Sequence, residues 1–155
     1  MPNELFIDLP SERQVVLTRV FDAPRSSVFE AFTQPDLLKR WWQAPGRRLE
    51  VCEVDLRAGG AYRFVWRGPE RKDVGMRGEY REVVPSERLV RTEHWEDWDA
   101  GESLDTIELS EHEGQTTLKS TILFPSQEVR DSVLAAGLRD TAAETYAALD
   151  RCLTG

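Results

Sequence analysis

Residues 127–153 read QEVRDSVLAAGLRDTAAETYAALDRCL. Apolar residues recur there at Val129, Val133, Leu134, Leu138, Ala142, Tyr146, Leu149 and Leu153. Steps of three and four align them on one stripe of an α-helix. The spacing predicts one long amphipathic helix, with Gly137 inside it at a cost of about 1 kcal/mol relative to alanine. A helix with a single apolar stripe must bury that stripe on another layer.

The upstream sequence supplies the layer. Residues 61–66, AYRFVW, alternate: Tyr62, Phe64 and Trp66 share one face, and Ala61, Arg63 and Val65 the other. Further strands are predicted over 14–21, 48–55, 74–83, 88–95, 103–109 and 116–124. Asp22-Ala23-Pro24, Ala58-Gly59-Gly60, Gly68-Pro69 and Pro85-Ser86 provide turns between them. Two short helices fit after the first strand. One covers 26–32 and has a serine available as N-cap. The other starts at Pro35, carries Leu37, Leu38, Trp41 and Trp42, and ends at Ala44-Pro45-Gly46. Strands in hairpin succession make an antiparallel sheet. The expectation is an α+β domain spanning 1–155, with its core over about 14–153. Six to seven curved antiparallel strands wrap around the C-terminal helix and leave a pocket beneath it.

Composition narrows the function classes. The chain has 155 residues, 40% hydrophobic and 31% charged, with five Trp and six Phe. This suits a folded globular chain. A net charge of -8 and a pI near 4.9 argue against nucleic acid and against an anionic membrane surface as partners. The only cysteines, Cys52 and Cys152, read as free thiols of a reducing compartment, so the cytoplasm is the expected location. No stretch approaches the roughly 20 apolar residues of a membrane span. Phosphate-loop, nucleophile-elbow and dinucleotide fingerprints are missing, and neither cofactor nor metal is expected.

Four local patterns carry a family resemblance. They are Phe21-Asp22-Ala23-Pro24 followed by Val28-Phe29-Glu30-Ala31-Phe32-Thr33; Pro35-Asp36-Leu37-Leu38 followed by Trp41-Trp42 and Pro45; Asp55-Leu56-Arg57-Ala58-Gly59-Gly60-Ala61-Tyr62-Arg63-Phe64; and Gly78-Glu79-Tyr80 running to Pro85-Ser86-Glu87-Arg88-Leu89-Val90. The chain resembles the START-like (SRPBCC) superfamily, and more closely the bacterial homologues of the activator of the heat-shock-chaperone ATPase. The resemblance implies a helix-grip, Bet v 1-like fold with an internal cavity. It does not imply a shared activity, because one fold hosts many functions. Two features depart from the pattern. Leu138, not an aromatic residue, follows Gly137, and Arg91 and Glu93 occupy a strand that usually reads apolar.

The candidate ligand-binding residues are Phe32, Trp41, Trp42, Tyr62, Phe64, Trp66, Tyr80, Arg91, Glu93, Trp95, Leu134 and Leu138. Trp41 and Trp42, about 100° apart on a helix, should divide their roles, one packing and one capping the pocket mouth. If Leu89 and Trp95 face inward, the period of two puts Arg91 and Glu93 inward too. Arg91 then orients a polar or anionic ligand end with Glu93 as its partner, and Arg91→Leu alters selectivity more than folding. A bulge would instead turn both to solvent. The acidic run Glu93, Glu96, Asp97, Asp99, Glu102 and Asp105 lacks the calcium-loop spacing and reads as a solvated loop. His94 falls on the solvent face and His112 in a turn, so no catalytic residue is assigned. The leading function is binding of a small apolar or amphipathic molecule by a carrier, sensor or self-protection protein. The alternatives are a cyclase, dehydratase or hydrolase using the same cavity, and a module stimulating a chaperone ATPase through exposed Trp41, Trp42 and Trp98. A homodimer is expected from open sheet edges and exposed aromatics.

Overall fold

A computed structural model describes residues 3–44 and 46–154 and, within them, all side chains but that of residue 71. The predicted stop at Pro45 and the extreme ends of the chain lie outside these residues. The strands are β1 (Phe6–Asp8), β2 (Gln14–Phe21), β3 (Arg48–Val54), β4 (Ala61–Arg67), β5 (Val74–Val84), β6 (Arg88–Trp95), β7 (Ser103–His112) and β8 (Gln115–Leu123). The helices are α1 (Arg25–Thr33), α2 (Pro35–Trp41), α3 (Gln127–Ala135) and α4 (Leu138–Thr154). All strands join one antiparallel sheet in the order β1-β2-β8-β7-β6-β5-β4-β3. The architecture is the predicted α+β helix-grip fold.

Chain-consecutive hairpins build most of the sheet. β2 closes it by pairing with β8 from Gln14↔Leu123 to Phe21↔Thr116. Register shifts at Leu49/Val51 and at Tyr80/Glu82 mark irregularities of the bulge type, which bend strands. Gly78 permits close packing beside the second of these. A Cβ there would lie 2.0 Å from the Thr92 carbonyl oxygen and 2.8 Å from the Tyr62 ring.

Two features differ from the sequence reading. The sheet has eight strands, because the short β1 adds to the edge of β2. Its burial pattern is exposed-intermediate-exposed, so three residues gave too brief an alternation to read. The terminal helix is also two helices. Gly137 adopts φ +100°, a left-handed value that ends α3, and its carbonyl accepts from Thr141 N as α4 begins. Apolar spacing could not reveal the break, because Leu134 and Leu138 keep their four-residue step across it.

The two helices bury differently. α4 sinks Ala142, Tyr146 and Leu149 into the core, with Tyr146 edge-on to Phe21 at 5.9 Å. α3 has no fully buried residue. It is held by Ser126, whose Oγ accepts from Val129 N, and by Arg130, whose Nη1 donates to the Ser11 carbonyl at 2.7 Å.

Helix propensity alone would make Gly137→Ala stabilising. The observed φ reverses the sign, since alanine is strained there. We expect Gly137→Ala to lower stability by about 1 kcal/mol, read as a lower urea midpoint. An unchanged or higher midpoint would contradict the break.

Candidate functional site

Between the inner face of the sheet and α4 lies a cavity of about 190 Å³. α1 contributes Phe32, α2 and its end contribute Trp41 and Trp42, and α4 covers the space with Leu138, Thr141, Ala142, Thr145 and Tyr146. Met76, Trp95, Ile107 and Ile122 form the sheet side. Against these apolar walls stand Arg91, Glu93 and Asp105, with Ser120 beside them. A larger groove of about 630 Å³ crosses the outer face near Gly78. Its Arg63 and Arg81 are already paired with Glu96, Glu79 and Glu102, so it is an ordinary solvated surface.

Of the twelve sequence candidates, Phe32, Trp41, Trp42, Arg91, Glu93, Trp95 and Leu138 line the cavity. Tyr62, Phe64, Trp66 and Tyr80 stand behind it as packed core. Leu134 lies half-buried on α3, off the cavity. β6 runs without a bulge between Arg91 and Glu93, as its pairing with β7 is regular from Arg88 to Glu93. The inward alternative is therefore the one the chain adopts. His94 borders the outer groove, and His112 is not in a turn but ends β7, exposed and paired with Gln115.

The tryptophan pair departs from the 100° expectation. Trp42 is the cap residue of α2, with φ -90° and ψ 82°, and has left helical geometry. Its ring lies parallel to that of Trp41, 5.6 Å away and 5° off plane. Trp66 fixes this position by donating its Nε1–H to the Trp42 carbonyl at 2.8 Å. Trp41 donates to the Ala31 carbonyl at 2.9 Å. Both rings therefore wall the cavity, and of the three tryptophans proposed for a partner face only Trp98 is exposed.

The polar cluster is one cation facing two acids. Arg91 is 2% exposed; its Nε is 3.6 Å from Glu93 Oε2 and its Nη2 is 3.8 Å from Asp105 Oδ2. The guanidinium lies 5.3 Å from the Trp42 ring centre and 5.5 Å from that of Tyr62. The ion pairs are longer than hydrogen bonds, and Arg91 Nε and Nη1 have no hydrogen-bond partner among the described residues. Asp105 accepts from Ser120 Oγ at 2.7 Å.

Burial, and then repulsion from Asp105, push the Glu93 carboxyl up to about 8 despite the opposing pull of Arg91. Burial raises Asp105 as well, while Arg91 and the Ser120 hydrogen bond pull it back. Burial of the two acids beside one arginine therefore favours a proton shared between them, in a hydrogen bond from Glu93 to Asp105. That proton balances the cluster against the single arginine. Burial also pushes the Cys52 thiol up to about 11, away from nucleophilic reactivity.

Sequence reading placed Asp105 in a solvated acidic run. It is buried instead, because it shares the inward face of β7 with Ile107 and Leu109. That period-two signal was available. Its pairing with Arg91 was not, since it depends on the β6–β7 register Arg91↔Asp105. Ser120 was missed for the same reason, and of the cavity side of α4 only Leu138 was named as a site residue, although the apolar stripe already held Ala142 and Tyr146.

A helix-grip sheet with a lined space under its last helix defines a START-like protein. The family model described as Activator of Hsp90 ATPase homolog 1-like protein matches residues 22–154, and the chain belongs to that family. Among solved structures, a protein from Rhodobacter sphaeroides is 32% identical, covering 97% of this chain and 98% of its own, with a TM-score of 0.93. Protein Ms6760 from Mycobacterium smegmatis is 24% identical over 99% and 98%, with a TM-score of 0.85. DynU16, a protein in the dynemicin biosynthetic locus, is 21% identical over 94% of this chain and 48% of that one, with a TM-score of 0.68. The last two establish likeness of fold alone. No match was found among curated proteins. No helix among the described residues is long and apolar enough to cross a membrane.

The buried carboxylates change the expectation for Arg91→Leu. Removing the cation strands two acids, so we expect Arg91→Met to cost about 3–5 kcal/mol in urea unfolding. Arg91→Met with Glu93→Gln and Asp105→Asn should recover most of that loss, and equal losses in the two variants would contradict the pairing.

The proton on Glu93 sets a pH dependence. An unfolded chain releases it near 4.5, whereas the folded site holds it to about 8. The folded state thus binds the extra proton between these values, and its stability falls as pH rises through that window. Glu93→Gln should flatten the fall by an amount on the order of a few kcal/mol. Parallel stability profiles for the two proteins would exclude the raised carboxyl.

Proposed function

We propose that this protein binds a small, mostly apolar molecule between the sheet and α4, as a cytoplasmic carrier, sensor or self-protection protein. The observation that carries the reading is the 190 Å³ cavity, whose walls are apolar except at one buried polar end. An apolar protein cavity of about 150 Å³ holds a benzene molecule, so this one has the capacity for a single ring with a short substituent. Few convergent polar groups on an apolar wall are what ligand sites commonly present.

An entry route supports the same reading. Trp95, Leu138 and Thr141 border the cavity and also an outer apolar groove formed with Trp98, Val133 and Ala136. On this reading a guest enters beside Gly137, past α3, which has no fully buried residue. The half-buried Cys52 and Cys152 are unpaired, which suits a reducing compartment.

Native mass spectrometry of protein purified from cells should detect a small guest released on denaturation. Ala142→Leu adds volume to the cavity side of α4 and should remove the guest, with at least a tenfold loss in affinity for ring-sized apolar probes and a retained circular dichroism spectrum. Wild-type protein that carries no guest, and whose tryptophan fluorescence ignores such probes, would overturn the proposal.

A further inference from the structure

The polar end of the cavity restricts the class of guest, on the reading that the cavity holds one. Arg91 is buried, lines the cavity and leaves Nε and Nη1 without partners. Unpaired buried donors are costly, and an incoming acceptor removes that cost. Asp105 is occupied by Ser120 Oγ at 2.7 Å and lies 3.8 Å from Arg91 Nη2. Burial and Asp105 favour the protonated form of Glu93, and Asp105 is the acceptor for that proton. The unsatisfied groups are thus mainly donors.

Charge balance separates the possible guests. Arg91, ionised Asp105 and protonated Glu93 sum to zero. A neutral acceptor keeps that sum. A carboxylate guest would bring a second negative charge beside Asp105 in a site walled by Trp41, Trp42 and Ile107. An ammonium guest would supply yet more donors next to an arginine that already lacks acceptors, and would be tolerated only after Glu93 lost its proton.

We propose that the cavity selects a neutral carbonyl compound about the size of one substituted ring, whose oxygen accepts a hydrogen bond from Arg91 while its apolar body packs against Trp41, Trp42 and Trp95. This sharpens the sequence-level expectation that Arg91 meets a polar or anionic ligand end. The titratable and charged groups around Glu93 are Arg91 on its own strand, Asp105 on β7, Tyr62 on β4 and Tyr146 on α4. Burial pushes both tyrosines well up, so they stay neutral as Glu93 titrates.

The test compares four probes of one skeleton by calorimetry and ligand-observed NMR at pH 6: acetophenone, isopropylbenzene, benzoate and 1-phenylethylammonium. Acetophenone should bind about tenfold or more tighter than the other three, as expected for a hydrogen bond to a charged donor. Its affinity should weaken severalfold above about pH 8, where the ionised Glu93 competes with the guest for Arg91. Glu93→Gln, whose side chain does not ionise, should lose that pH dependence. Equal binding of isopropylbenzene would overturn the carbonyl preference while leaving the cavity reading intact. Tightest binding of benzoate or of 1-phenylethylammonium would overturn it in favour of an ionic guest. Failure of every probe to bind would sink both the preference and the cavity reading.

Discussion

The guanidinium of Arg91 lies inside an apolar fold with two acidic side chains, and the rest of the inner architecture accommodates that charge. Burying an ion costs several kcal/mol unless partners compensate. Here compensation comes from four strands and one helix end. β6 supplies Glu93, β7 supplies Asp105, β4 and the end of α2 supply the Tyr62 and Trp42 ring faces, and β8 steadies Asp105 through Ser120. None of these contacts is a close bidentate pair. The cluster is held together by its surroundings, with unspent donors left over.

The aromatic wall gives those donors a fixed place. Phe32, Trp41, Trp42, Phe64 and Trp66 form a continuous chain of ring contacts with centroid separations between 5.0 and 6.1 Å. Two indole N–H groups anchor it to backbone carbonyls. A wall pinned in this way keeps side chains from collapsing into the space, whereas a flexible aliphatic wall would relax into it. The cavity follows from that rigidity and from the reach of α4, whose Ala142 and Thr145 are too short to fill the gap. α3, which ends at the left-handed Gly137, contributes no fully buried residue.

Much of this was legible from residues alone. The alternation of 61–66 gave the buried face of β4, and the inward phase of Leu89, Arg91, Glu93 and Trp95 followed from the same rule. The resemblance of the tryptophan and glycine patterns pointed to the family. Asp105 shows where reading stopped short. Its own strand announced an inward position through Ile107 and Leu109, but its place in an acidic run suggested solvent. Trp42 shows a different limit. Helical spacing applies only while the chain is helical, and α2 ends at the preceding residue.

The order of the longer elements and their buried faces were fixed by local rules, because periodicity, turn chemistry and hydropathy act over a few neighbouring residues. The split between α3 and α4, the meeting of Arg91 with Asp105 and the empty volume beside them arose only on folding. A backbone dihedral at Gly137 leaves no trace in apolar spacing. A strand register brings together residues fourteen positions apart, and a cavity exists only as the difference between the space that the sheet and helix enclose and the volume that their side chains occupy.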